Sequence, residues 1–272
     1  MKLKDELKLL YVKILNLISL IKRVPGEFRY NSNGIHKDEE DSRDYKVEVK
    51  EGVELPKVYM LPIDASKYIK NQGKFGSCFS HALCTSIEIM HDILKTKYRL
   101  PLSERFHYYY TRKLYQKNFP AYGGMTARNG LKCAQQIGIC PEKLCPYIAS
   151  KMNEEPDKIA QGFAHFWKID SYYRIASVEG VKQVLLNNNP LLLGIYMNKS
   201  FKDFKGPIEI VDGEKTYGGH EIAVAVGYSD LMNAFCCINS WGHTYKEDGL
   251  MWLPYEYVNK YGIDIWTFNV KK

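Results

Sequence analysis

Three residues far apart in the chain have types and settings suited to nucleophilic chemistry. Cys78 lies in "NQGKFGSCFSHALCTSIEIM", residues 71–90, where small and flexible residues give way to an apolar pattern of helical period. A cysteine at a helix start meets unpaired backbone N–H groups and the positive end of the macrodipole, which bias it toward its thiolate. Such a nucleophile needs a proton acceptor, a group that orients the acceptor, and donors for a developing oxyanion. The sequence offers a candidate for each. His220 heads an alternating strand in "YGGHEIAVAVGY", Asn239 ends a strand in "INSWGHTYKEDGLMWL", and Gln72 supplies an amide donor six residues before the cysteine.

The elements that must position these residues are legible in the hydrophobic pattern. Phe79, Ala82, Leu83, Ile87, Met90, Ile93 and Leu94 trace one face of a long buried helix from Cys78 to about Lys95. A second helix is predicted over Ser103 to Leu114, with Ser103 as its N-cap. "YGGMTARNGLKCAQQIG", residues 122–138, reads as a glycine loop followed by a short helix that Gly138 closes. After Phe166 the pattern changes to short β-rich runs, "LLLGIYM", "EIAVAVGY", "AFCCIN" and "LMWLP". The body is therefore expected to be α+β, with a mainly helical half over residues 70–165 and a mainly β half over residues 166–272.

Composition narrows the function classes. At 272 residues, with 45% hydrophobic and 25% charged residues, the chain can build a substantial core, which argues against extensive disorder. The net charge of +7 is spread along the chain without a zinc-finger, RNA-recognition or KH signature, so no nucleic-acid partner is expected. Seven cysteines cannot all pair within one chain, and no paired CxxC spacing is present, so buried thiols are expected and no metal site.

Residues 1–54 read as a leader, and the main body as residues 55–272, beginning near "ELPKVYMLPIDAS". "LKLLYVKILNLISLI", Leu7 to Ile21, is interrupted by Lys8, Lys13 and Asn16 and is shorter than the roughly 20 apolar residues of a spanning helix, so no stable membrane insertion is expected. Leu3, Leu7, Leu10, Ile14, Leu17 and Ile21 instead mark an amphipathic docking helix, and no small-x-small cleavage site follows it. Acidic "DEEDSRD", Asp38 to Asp44, reads as a loop, and "YKVEVK", Tyr45 to Lys50, as a short extended segment.

The ordered motifs "QGKFGSCF", "GGH" and "NSWG" give the chain, from about Leu55 onward, the look of a papain/cathepsin-type cysteine peptidase related to cathepsins B and L. Weaker echoes are "LSE" at Leu102 to Glu104, Gly123 with Gly124, "PY" at Pro146 and Tyr147, and "PLLLGI" at Pro190 to Ile195. The resemblance implies a papain-like two-domain α+β fold, a helical domain and a β-barrel-like domain with the active cleft between them. It implies an endopeptidase that cuts polypeptide substrates through an acyl-enzyme thioester, acts as a monomer, and uses no cofactor and no metal. Cys78 would be the nucleophile, in a resting thiolate–imidazolium pair with His220 as its base. Asn239 would orient the imidazole under the cover of Trp241, and Gln72 with the Cys78 N–H would form the oxyanion hole. Gly123, Gly124, Met125 and Gly219 would line the substrate path.

Glu221 follows the base where the family has small residues. The resemblance places it in or near the pocket for the second residue upstream of the cut, where a carboxylate favours basic side chains; read from its strand alone, it is a solvated edge glutamate. Other departures are Phe79 in place of tryptophan, Phe75 in place of a cysteine that normally enters a disulfide, and Lys246 in place of glycine. Without that bridge the expectation leans toward an intracellular or particle-associated setting over a disulfide-braced secreted one, with a lysosome-like compartment left open. One residue more than usual lies between His220 and Gly227, and a bulge should absorb it. No tandem histidines suggest carboxydipeptidase action. Family members are made as zymogens, so the leader is expected to cover the cleft, with Tyr45 to Lys50 near it. The alternatives are a papain-like binding protein whose cleft the leader covers permanently, and a cysteine-type aminopeptidase or amidase.

Overall fold

The structure is a computed structural model and describes residues 34–96, 99–116 and 123–270. The amphipathic segment expected at Leu7 to Ile21 lies outside the described residues. The strands are β1 (Ile35–His36), β2 (Val58–Met60), β3 (Met125–Thr126), β4 (Ile169–Arg174), β5 (Leu191–Tyr196), β6 (Gly219–Ser229), β7 (Ala234–Ile238), β8 (Leu250–Pro254) and β9 (Gly262–Val270). The helices are α1 (Cys78–Ile93), α2 (Glu104–Tyr115), α3 (Ala127–Gln136), α4 (Lys158–Ala164), α5 (Val178–Leu186), α6 (Lys199–Lys202) and α7 (Tyr255–Tyr261).

The three long helices of the first half form where the pattern places them. Helix α1 is buried on every face from Cys78 to His91, which puts it at the centre of the molecule, against β5 and β6. Two of its buried polar residues are partnered across the core: Ser80 Oγ lies 2.8 Å from His107 Nδ1, and Glu88 accepts from Lys70 Nζ at 2.7 Å. Ser103 caps α2 by accepting the Phe106 N–H at 3.0 Å. Thr126 caps α3, and Gly138, at φ +90°, closes it with an N–H bond to the Cys133 carbonyl.

In the second half β6 is the hub. It pairs antiparallel with β5, and β5 pairs with β9 and β9 with β4, while β2 and β7 also hydrogen-bond to β6 and β8 extends β7. The expected bulge is present, since the β6–β7 register shifts between Ala223 and Ala225 and again between Ala225 and Gly227. The fold is the expected papain-like mixture of a helical half and a curved, half-barrel sheet. All seven cysteines are free and buried. Phe75, where a bridging cysteine was the family norm, instead packs edge-on against the ring of Tyr147 at 6.3 Å.

One strand belongs to the leader. Strand β1 pairs in parallel with β3, Ile35 opposite Met125 and His36 opposite Thr126, and antiparallel with β6, Ile35 opposite Gly219. The helical half therefore joins the sheet through a leader strand laid between them. Tyr45 to Lys50 lies elsewhere than expected: the Val47 N–H donates to the Arg174 carbonyl at 2.9 Å and the Lys50 N–H to Gln183 Oε1 at 3.0 Å, along β4 and α5. The acidic loop pulls the chain there, because Asp44 accepts from Arg128 on α3 at 2.7 Å and from Arg174 on β4 at 3.2 Å. Burial pushes the Asp44 carboxyl up, but the two arginines outweigh it and hold it below the usual range.

Candidate active site

Cys78 opens α1, the central helix, so its thiol starts from the positive end of a long macrodipole. The thiol lies beside the His220–Glu221 peptide, whose Glu221 N–H donates to Cys78 Sγ at 3.3 Å. His220 is the second residue of β6, and its imidazole is fixed by Nε2, which donates to Asn239 Oδ1 at 2.7 Å, leaving Nδ1 without a partner. Asn239 follows the end of β7, and its Oδ1 also accepts the Ser240 N–H at 2.7 Å. Trp241 is buried 4.8 Å from the His220 ring, centroid to centroid, and covers the His–Asn bond together with Phe201 and Phe204. The structure thus brings Cys78, His220, Asn239 and Trp241 from two halves of the chain into one site.

Gln72 joins them through a pair of interlocked loops. Its N–H donates to the Ser240 carbonyl at 2.9 Å, its Oε1 accepts Ser240 Oγ at 2.6 Å, and its Nε2 donates to the Phe75 carbonyl at 2.7 Å. Gly242 makes the interlock possible. It sits at φ +78°, where a Cβ would come within 2.6 Å of Asn71 Nδ2. Tyr147 completes the support, its hydroxyl donating to the Gln72 carbonyl at 2.9 Å and lying 2.7 Å from Ser77 Oγ. Lys246, at the position of a usual glycine, also takes a positive φ of 46°, and its ammonium bonds the Ser200 and Gly206 carbonyls.

The remaining site candidates line the strand of leader that fills the cleft. Gly34 lies directly against Cys78, so that a Cβ built on it would collide with Sγ. Its N–H donates to the Gly219 carbonyl and its carbonyl accepts the Met125 N–H, both at 3.2 Å. Of the glycine loop, Met125 therefore makes the backbone pairing, while the carbonyls of Gly123 and Gly124 are taken by the Tyr108 hydroxyl and by Gln116 Nε2. Glu221 is fully buried, which sets aside the solvated edge reading.

Covered in this way, the Cys78 thiol and the His220 imidazole are both pushed toward their neutral forms. Burial pushes the Cys78 thiol up to about 12, against the opposing Glu221 N–H bond, and burial pulls His220 down to about 4, against its Asn239 bond. The expected thiolate–imidazolium pair is thus disfavoured while Gly34 is in place, because neither charge is solvated. Sequence reasoning gave no site role to Gly34 or Asp264, and it named Tyr147 and Ser240 only as parts of the "PY" and "NSWG" motifs. For Asp264 a signal existed, an acidic residue inside the apolar run "YGIDIWTF".

The papain family cysteine protease model matches residues 63–268. The chain belongs to that family and is a thiol protease by family and fold. Over 75% of its length it is 27% identical to an uncharacterized peptidase C1-like protein, L477, of Acanthamoeba polyphaga mimivirus, of which the match covers 69%. Xylellain, a cysteine protease from Xylella fastidiosa, superposes with a TM-score of 0.81 at 26% identity, over 92% of this chain and 100% of that one. Procathepsin B S9 of Trypanosoma congolense superposes at 0.66 over 88% of this chain and 87% of its own, a likeness of fold alone at 16% identity. Polypeptides are the substrates of this family. Among the described residues no helix is long and apolar enough to cross a membrane.

Proposed function

We propose that the protein is an endopeptidase in which Cys78 attacks the peptide carbonyl, and that residues 1–54 form a non-standard pro-segment over a peptidase domain of residues 55–272. The observation that carries the chemistry is the fixed imidazole. With Nε2 committed to Asn239 at 2.7 Å and Nδ1 unbonded, His220 has one nitrogen left for the thiol proton, in a site where Cys78 lies against the next peptide group.

In this reading His220 takes the thiol proton as the cleft opens to water and both groups move back toward their ordinary values. Sulfur adds to the carbonyl, and the oxyanion is met by the Cys78 N–H and an N–H of the Gln72 amide. His220 then gives its proton to the leaving amine, and water, deprotonated by the same imidazole, hydrolyses the thioester and regenerates the thiol. Asn239 holds the ring throughout, and Trp241 keeps water from their bond. Backbone pairing by Met125 and Gly219, which now engages Gly34 and Ile35, would hold the substrate strand.

Gly34 against Sγ supports the zymogen reading, since no carbonyl can reach the thiol until β1 leaves. The test uses the full chain and its Gly34→Val variant, whose side chain cannot share space with Sγ. Fluorogenic dipeptides should be turned over slowly by the former and faster by the latter, and Cys78→Ala in the Gly34→Val background should fall by about 10⁴-fold or more. No turnover by Gly34→Val, with Cys78 shown open by rapid alkylation, would favour the permanently covered binding protein.

A further inference from the structure

Beside the cleft lies a second group of unusual side chains that the chemistry above does not use. Gly194 on β5 is directly opposite Glu221 on β6 and directly opposite Asp264 on β9, so the three form one row across adjacent strands, on one face of the sheet. The middle member has no side chain. A Cβ placed there would lie 2.7 Å from Asp264 Oδ1 and 3.0 Å from Glu221 Oε2, so both carboxylates lean into the space glycine leaves. Glu221 is 0% exposed and Asp264 6%. Neither Glu221 oxygen accepts a hydrogen bond, Asp264 is approached only by the Trp266 indole N–H, outside good hydrogen-bond geometry, and no cation lies within ion-pair distance of either carboxylate among the described residues. Two buried, unpaired carboxylates converging on one point are costly to a fold that needs nothing from them.

Their place is set by the leader. Gly34 occupies the position over Sγ, and the next residue, Ile35, lies against Gly219 with its Cγ2; Ile263 reaches the same glycine with Cδ1 and flanks Gly194 with its Cβ. The side chain one residue removed from the reacting position thus meets Gly219, two residues before Glu221 on β6, beside Ile263, the residue before Asp264 on β9. We propose that Glu221 and Asp264, converging over Gly194, form a pocket for an arginine side chain on the substrate residue second upstream of the cut, and that Ile35 is its stopper in the closed form. The proposal rests on the endopeptidase reading and adds Asp264, Gly194 and the choice of cation to it.

Arginine fits better than lysine for two reasons. The guanidinium presents five donors in a plane and can serve two carboxylates at once, whereas an ammonium is a single point. It is also the less strongly hydrated ion, so it enters a buried site at lower cost. An isoleucine stopper excludes water from the carboxylates without pairing them. Burial, with nearby Asp38 of the leader, keeps Asp264 up at about 7 against Arg174, Trp266 and Arg128, and burial with Asp264 and Asp38 keeps Glu221 well above the carboxylate range. The closed pocket therefore carries less negative charge than two exposed carboxylates would until a substrate cation replaces Ile35.

The experiment uses the full chain carrying Gly34→Val, with alkylation of Cys78 to verify that the cleft is open, and Arg128→Ala, whose loosened leader exposes Cys78 more often, as a second background should that variant misfold. Peptides differing only at this position, with arginine, citrulline, lysine or leucine, are compared by kcat/KM. Arginine should exceed its neutral isostere citrulline by about 10- to 100-fold, the range for charge-assisted hydrogen bonds out of water. Lysine should fall between them. Glu221→Gln and Asp264→Asn should each shrink the arginine-to-leucine ratio, and the double variant should bring it near one. Binding of the same peptides to Cys78→Ala in the opened background is read in parallel by fluorescence anisotropy. Turnover or binding without an arginine preference overturns the pocket and leaves the peptidase standing. An arginine preference in binding, with no turnover of any peptide, supports the pocket and overturns the peptidase.

Discussion

Glu88 and Glu104 on one side of the cleft, and Glu221 and Asp264 on the other, are both buried carboxylate pairs, and they are built in opposite ways. Lys70 Nζ lies 2.7 Å from Glu88 Oε1 and 2.7 Å from Glu104 Oε1, and Glu88 also accepts the Leu102 N–H at 2.8 Å. That cluster joins α1 and α2 to the loop that carries Gln72, and Lys70 further accepts the Gly242 N–H on its carbonyl. Its charges are answered within the chain, so it serves as a structural joint. The second pair has no ion-pair partner among the described residues, which is what the proposed arginine pocket requires. The contrast separates two meanings of a buried acid that their burial alone does not.

The strongest way to break the contrast is to remove Lys70. Lys70→Met leaves two carboxylates stranded in the first cluster and should destabilise the protein by about 3–5 kcal/mol, read from urea unfolding. If stability were unchanged, the cluster would not be the joint described.

The second test is pH. Asp264 has its folded pKa raised from 3.8 to about 7, so the folded state holds a proton that the unfolded chain has released. Stability should accordingly fall as pH rises from about 4 to about 7, by about 1.4 kcal/mol per pH unit from this group, and then level off. Asp264→Asn should flatten that slope, measured as unfolding midpoint against pH and compared with the parent.

A smaller effect should follow from neutralising the other member. Glu221→Gln relieves a buried acid of its unpaired state and should raise stability by about 1–2 kcal/mol near pH 7, the opposite sign to Lys70→Met. Calorimetry giving both variants the same sign would erase the distinction between the clusters.

The smallest effect is expected at the partly buried leader clasp. Arg128→Ala removes bonds to Asp44 at 2.7 and 3.1 Å and to the Glu39 carbonyl at 2.8 Å. It should loosen β1 by about 1 kcal/mol and raise the rate of Cys78 alkylation several-fold, with little change in global unfolding.

How much of this was legible beforehand follows from what each feature depends on. Helices α1, α2 and α3 were readable because local periodicity and the caps Ser103, Thr126 and Gly138 act within a few residues of one another. The four apolar runs of the second half became β5 to β8, but β9 was missed, since "GIDIWTFNV" carries no clean alternation. Cys78, His220, Asn239 and Gln72 could be picked out because each lies in a short motif of its own. Glu221 was singled out, yet its strand context alone would have left it in solvent.

What the sequence by itself determined is the candidate site residues and the elements that carry them, because motif and helix signals are encoded in neighbouring residues. Only the tertiary structure decided that Gly34, not Tyr45 to Lys50, lies on the thiol, and that Asp264 shares one row with Glu221. Both outcomes depend on strand register across β1, β6, β5 and β9, and register joins residues whose separation along the chain carries no local signal.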